Sequence, residues 1–544
     1  MKKLLLILSV LLASMQASFA NVDTFMAKHI TPISDAVANV IFYPIKFGGT
    51  EIPIIIFWIL IAGLFFTFYL KGIAFWGFGH SIQLLTKKQN DDKTDKNDDG
   101  EEAGEVSAFQ ALMTALSGTI GLGAIAGVAI AISLGGPGAA FWIIVGSVLG
   151  MSLKFVEAAL AVKYRRFNLD GSISGGPMHY MAHGLTRKKL RWLGQPLAVI
   201  FAVLCICGGV TGGNMIQINQ ATNQFVNVTG GDKSIFAHAH WVIGLIMAIV
   251  VGCIVIGGIK SIVKVTEKIV PLKIFVYFFS ALAVIVFHIK ALPHAAAVII
   301  KQAFTPDAVY GGAFVAMIMG LRRSVQSNEA GTGSAPIAYA TVKTKEHISQ
   351  GFISLLEPFL TGFMCTMTAV AIVISGVYTK YTPENPAGIE MTSEAISTVM
   401  SFFPKLLACI VLLYALSTLI SWAYYGQKSW NYLFGEGRKR TLTFHFIYCS
   451  FIVIGSVMNM TSVISITDAM MISMSIPNII VMYILAPEIK EDLKLYCQKH
   501  KIGKLINKKW LEEPKEIQAI DFAVKTSKDF GKIETEETEC QIKL

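Results

Sequence analysis

The chain has 544 residues, 53% hydrophobic and 15% charged, and its 46 Lys and Arg against 36 Asp and Glu leave a net charge of +10. Soluble domains carry about 25% charged residues, and outer-membrane barrels are built from segments of about ten residues with alternating polarity. Neither pattern is present, whereas apolar runs of about 20 residues, enough to cross about 30 Å of hydrocarbon, recur from one end to the other.

The chain therefore reads as an all-α membrane protein surrounded by lipid. Its positive charge is a topology signal rather than a nucleic-acid footprint, so no nucleic-acid partner is expected. The eight cysteines are scattered, mostly in apolar segments, and none are spaced CxxC, so neither a zinc site nor a disulfide framework is indicated.

Residues 1–20, "MKKLLLILSVLLASMQASFA", pair two lysines with a short apolar core and small residues at Ser18 and Ala20. That is the layout of a signal peptide cleaved after Ala20. Asn21 onward is then outside. Eleven spans follow, at about 53–73, 107–132, 138–162, 195–225, 239–258, 269–289, 309–342, 350–378, 400–430, 442–460 and 462–486. With the N-terminus out and the C-terminus in, the inside loops hold Lys71, Lys87 and Lys88, then "KYRRF" with "RKKLR", "KSIVKVTEK", "KTKEH" and "GEGRKR". The outside loops hold little beyond Lys233, Lys290, Lys301 and Lys380, so the positive-inside rule holds at every crossing. This places the chain in a bacterial-type cytoplasmic membrane.

The linker "KKQNDDKTDKNDDGEEAGE" has the composition of a disordered segment. Asp95, Asn97, Asp99 and Gly100 match the start of a calcium loop, but Val106 stands where the bidentate Glu belongs, with Glu105 one residue early. A solvated acidic run is the default there.

Polar residues inside hydrocarbon need a reason. In the second span "SGTIGLGAIAG" places Gly121 and Gly123 in a helical run, and in the seventh "SNEAGTGSAPIA" places Gly331 and Gly333 before Pro336. Close helix packing through small residues explains either stretch alone. The two lie five spans apart, so the chain crosses in opposite senses at them. Two five-helix halves, each opening with a broken helix, are the pointer to a transporter site at the midplane. A break leaves N–H groups at one half-helix end, suited to a carboxylate, and carbonyls at the other, suited to a hard cation. The division that follows is 21–106 as N-terminal helix and charged linker, 107–486 as transporter core (107–289 and 309–486 as the two repeats), and 487–544 as a basic cytoplasmic tail.

Two further places qualify. "GGNMIQINQ" sets Asn214, Gln217 and Gln220 along one side of a helix, either as interhelical hydrogen bonds or as donors and acceptors for a zwitterion. "LSTLISWAYYGQKSW" sets the hydroxyls of Ser417 and Thr418 four residues before Trp422, either bonded back to helix carbonyls or as sodium ligands. Among buried charges, Lys154 and Glu157 are spaced for a local pair, and Arg322 and Arg323 lie within reach of Glu329 as a gate or brace.

"GGPGAAFW", "KFVEAALAVKYR", "GGPMHYM", "GGNMIQ", "GGIKSIVKVTEKIVP", "SNEAGTGSAPIA" and "STLISWAYYGQ", in this order from about Gly118 to about Gly435, resemble the alanine or glycine:cation symporter family. The resemblance implies a LeuT-like inverted five-plus-five bundle with one extra N-terminal helix; a monomer is expected, although nothing in the sequence fixes the oligomeric state. It also implies uptake of alanine, glycine or a similar small amino acid coupled to sodium, in some members to protons. Carried over, the substrate-binding positions are Leu122, Gly123, Gln217, Gln326, Asn328, Gly331, Gly333 and Trp422. Sodium is expected at the first break around Gly121 and Ala124 with Ser417 and Thr418. The chain departs from the family where "GTGN" becomes Gly121 to Ala124 "GLGA", where an aromatic becomes Gln326, and where a tryptophan becomes Ile144. These changes imply an altered substrate, and leave a non-transporting sensor or a channel on the same fold as the alternative. An enzyme is not expected, since HExxH, GxSxG and an intramembrane aspartate dyad are all missing from the sequence.

Overall fold

A computed structural model describes Lys28 and residues 31–47, 50–94, 104–168, 171–237, 239–305, 312–384, 386–458 and 460–502. The signal segment and the calcium-loop positions Asp95 to Gly100 lie outside the described residues. The described residues up to Asp492 form one compact unit, and those from Leu493 on belong to a second.

Apolar runs fold as helices because a helix bonds its backbone N–H and C=O groups internally, which hydrocarbon requires. Among the described residues seven helices are long and apolar enough to cross a bilayer: Gly138–Lys163, Arg191–Val228, Gly258–Phe287, His347–Ile374, Phe403–Phe434, Arg438–Val457 and Ile466–Lys499. Two bent pairs add to these, Ile54–Tyr69 with Ile73–Thr86 at 65° and Ala108–Thr119 with Leu122–Gly135 at 60°. The total is up to nine, against the eleven expected. One expected span that falls short is His240–Val255, apolar but only 16 residues long. The other is Ala313–Asn328, which carries Arg322 and Arg323 and stops at a break beyond which Pro336–Tyr339 is helical. Phe68, Phe75 and Phe446 are 70–75% exposed, as lipid-facing side chains of a multi-pass membrane protein are.

Some polar stretches expected as loops are helical. "KSIVKVTEK" belongs to the Gly258–Phe287 helix, which carries Pro271 inside it. The helix Phe78–Thr94 runs into the charged linker. Ser475–Lys499 continues past Pro487 into the segment read as tail. Helical propensity of Lys- and Glu-rich sequence carries each helix beyond its apolar stretch.

The first broken helix begins with a capping box spelled by the sequence Ser-x-x-Gln. The Ser107 hydroxyl accepts from Gln110 N at 3.2 Å, and Gln110 Oε1 accepts from Ser107 N at 3.0 Å. Its first half is fastened to the long Phe403–Phe434 helix by hydroxyl-to-carbonyl bonds. Ser421 donates to Thr114 O at 3.0 Å, Thr418 to Ser117 O at 3.1 Å, and Ser117 to Ser417 O at 2.5 Å. These bonds hold the end of the half-helix, and so the break itself, against Thr418.

Candidate functional site

The first break opens at Ile120–Gly121 and resumes as a short 3₁₀ turn, Leu122–Ala124. A Cβ at Gly121 would lie 2.8 Å from Thr418 Oγ1 and 3.1 Å from Gln217 Oε1, so only glycine lets these groups close in. Gln217 Oε1 accepts from the Leu122 N–H at 3.1 Å, and its Nε2 donates to Gly212 O at 3.1 Å. That carboxamide satisfies one N–H released by the break and one carbonyl of the π turn Thr211–Met215. Three further carbonyls at the break are also taken up. Ile120 O accepts from Lys273 Nζ at 2.6 Å, Ala124 O from the Thr368 hydroxyl at 2.9 Å, and Ile125 O from Thr392 at 3.3 Å.

The second break turns through three left-handed residues, Glu329 (φ 52°), Gly331 (φ 85°) and Gly333 (φ 84°). Asn328 Oδ1 accepts from Ala330 N at 2.9 Å, and the Thr332 hydroxyl donates to Glu329 O at 2.7 Å. The Glu329 carboxylate accepts from Trp422 Nε1 at 3.1 Å and from the Ser334 hydroxyl. Asn478 Nδ2 donates to Gly331 O at 2.8 Å and to Glu157 Oε1 at 2.6 Å. Below this lies a buried ion pair, Lys154 to Glu357 at 3.1 Å, with the Tyr339 hydroxyl donating to Glu357 Oε2 at 2.7 Å.

One cavity joins the two breaks. Leu122, Gly123, Gln217, Gln326 and Trp422 of the expected substrate set line it, together with Gln220 and Glu329. Gln220 is 2% exposed and neither polar atom of its amide has a partner. Asn328 does not line this cavity; it faces a separate one beside Gly150 and bonds Ser324. Gly331 and Gly333 pack against Ile479 and against Pro177 and Phe201 instead. Of the expected cation set, Ser417 and Thr418 both meet the first break. Thr418 donates to Ser117 O, and Ser417 donates to Tyr414 O at 2.9 Å while accepting from Lys273 Nζ at 2.5 Å.

Two expected ion pairs are replaced. Lys154 meets Glu357 rather than Glu157, because the helical neighbour faces Asn478. Arg322 and Arg323 pair with Asp468 at 2.8 and 3.1 Å rather than with Glu329, and Arg323 also donates to Gln326. The sequence reading missed Lys273 and Asp468. Each is a lone charge inside an apolar run, "VPLKIFVY" and "VISITDAMM", which was signal enough to single it out.

The chain matches the Sodium:alanine symporter family over residues 37–509. It is 33% identical over 446 residues to the sodium/alanine symporter AgcS of Methanococcus maripaludis, an alignment covering 82% of this chain and 94% of AgcS. It is 34% identical over 445 residues to the probable sodium/glutamine symporter GlnT of Bacillus subtilis, covering 81% of this chain and 87% of GlnT. Among solved structures it resembles MhsT in complex with L-phenylalanine, with a TM-score of 0.51 at 12% identity over 70% of this chain and 89% of that one. This last likeness is one of fold, the LeuT fold. The family is one of membrane transporters, not of enzymes. The chain belongs to the sodium:alanine symporter family.

Proposed function

We propose that this protein is a cation-coupled symporter that takes up a small neutral amino acid by alternating access. The observation that carries the reading is the cavity bounded by both helix breaks and lined by Gln217, Gln220, Glu329 and Trp422. A zwitterion needs partners of both signs in a desolvated space. The half-helix Leu122–Gly135 turns the positive end of its dipole toward the α-carboxylate, its first N–H being held by Gln217. Glu329 lies across the cavity for the α-ammonium. Trp422 and Leu122 form the apolar wall. Substrate that touches both broken helices binds best when the halves close on it, which is what couples binding to rocking of the bundle.

Alanine and glycine are the first candidates. Glutamine is the second reading, and the unpartnered Gln220 amide is the observation that favours it. A buried amide with free donor and acceptor complements a side-chain amide and gains nothing from a methyl group. The test is uptake of labelled alanine, glycine and glutamine into proteoliposomes under an inward sodium gradient, an inward proton gradient and no gradient. Accumulation of at least one of them under either gradient is expected. Absence of accumulation for all three under both gradients would leave the sensor or channel alternative standing.

A further inference from the structure

Lys273 is the charge that the proposed function does not use. It lies two residues after Pro271 in the Gly258–Phe287 helix and its side chain is 1% exposed. Its Nζ is 2.6 Å from Ile120 O and 2.5 Å from Ser417 Oγ, and it stands 4.6 Å from the centre of the Tyr414 ring. Among the described residues no carboxylate forms an ion pair with it. Its surroundings are a carbonyl released by the first helix break, a serine hydroxyl and an aromatic face, all of which stabilise a small cation without neutralising it.

These are also the groups that would hold a sodium ion between the first break and the hydroxyl pair. Ser417 already spends its proton on Tyr414 O, so its lone pairs face the lysine. Thr418 spends its proton on Ser117 O, and Ala124 O receives the Thr368 hydroxyl. A sodium ion bound to Ile120 O and Ser417 Oγ would have to share these two oxygens with an ammonium in contact with both. Two unit charges that close repel strongly in a medium of low dielectric, so the lysine and the ion exclude one another.

We propose that the Lys273 ammonium is a tethered cation standing in the place of the coupling sodium, so that substrate uptake needs no sodium at this position. This rests on reading the broken helices as the transport site. The lysine performs the joining task of a bound ion. It bridges the end of the first half-helix, the Phe403–Phe434 helix and its own helix, which Tyr414 also grips through a bond from its hydroxyl to Lys273 O at 3.3 Å. An ion that never leaves cannot carry a gradient, so any gradient that drives accumulation acts elsewhere than through a sodium ion held here.

The test compares wild type with Lys273→Ala and Lys273→Met in proteoliposomes at fixed pH, with sodium or choline as the external cation and labelled alanine or glutamine as substrate. Binding of ²²Na⁺ to the purified proteins is the second readout. Wild-type uptake is expected to change by less than about twofold between the two cations, while the variants, with the two oxygens freed, lose about tenfold in choline and bind ²²Na⁺. A wild type that loses about tenfold in choline and binds ²²Na⁺ as well as the variants do overturns the proposal. So do folded, substrate-binding variants that stay indifferent to sodium and bind no ²²Na⁺. Should neither variant fold, the wild-type comparison decides alone. If no substrate accumulates under any gradient, the transport reading fails instead, a result distinct from uptake that demands sodium.

Discussion

Replacing Gln217 by Ala is the sharpest probe of the first break. The carboxamide accepts from the Leu122 N–H at 3.1 Å and donates to Gly212 O at 3.1 Å, so its removal orphans a donor and an acceptor at once. A buried polar group left unpaired costs about 1–3 kcal/mol. If the bond holds the break in its binding geometry, a loss of about 1.4 kcal/mol lowers the competent fraction and raises the apparent Kd about tenfold. Gln217→Asn carries the same amide one methylene short of Leu122 and is expected to behave like Ala. The assay is equilibrium binding of labelled alanine and glutamine to purified protein, alongside a thermal midpoint to confirm folding. If both variants bind within about twofold of wild type, Gln217 does not organise the site and the reasoning fails.

Three more outcomes are expected. Glu357→Gln leaves the buried Lys154 ammonium without its partner at 3.1 Å and should cost about 3–5 kcal/mol, lowering the thermal midpoint sharply, while the double change Lys154→Met with Glu357→Met should restore most of it; equal losses in both would refute a paired charge. Gly333→Ala combines a left-handed φ of 84° with a Cβ 2.6 Å from Pro177 Cγ, so it should lower the midpoint more than Gly258→Ala, where φ is 66° but nothing lies within 4 Å. Burial pushes His179 from 6.5 down to about 3, so it stays neutral in the fold while the unfolded chain takes up a proton. Its contribution is therefore full above pH 6.5 and is lost as the pH falls from there toward about 3. The wild-type midpoint should drop between about pH 7 and pH 5, and His179→Gln should flatten that slope; an unchanged slope would remove His179 as the cause.

The legible part of the site was the part that breaks a rule. Glycines one residue apart in two apolar runs, an amide row at Gln217 and Gln220, and hydroxyls at Ser417 and Thr418 stand out because hydrocarbon penalises each of them. Those residues do gather round the two breaks. Asn328, Gly331 and Gly333 stood out for the same reason yet face away from the cavity, since polarity marks a residue as constrained without saying which side of the turn it faces. Among the described residues up to nine helices are long and apolar enough to cross, and His240–Val255 and Ala313–Asn328 are the two expected crossings shorter than that.

The sequence alone determined the membrane class, the positions of both breaks and the family, because these follow from apolar length, backbone freedom at glycine and ordered motifs. Only the tertiary structure decided who partners whom. Lys154 chose Glu357 over Glu157, Arg322 and Arg323 chose Asp468 over Glu329, and Lys273 came to rest between Ile120 O and Ser417 Oγ. Charges buried in low dielectric must find partners across helices, and those partners are separated by 144 to 203 residues of chain for these pairings with Asp468 and Glu357 and with Ile120 and Ser417. No local spacing encodes such distances, which exist only once the helices have packed.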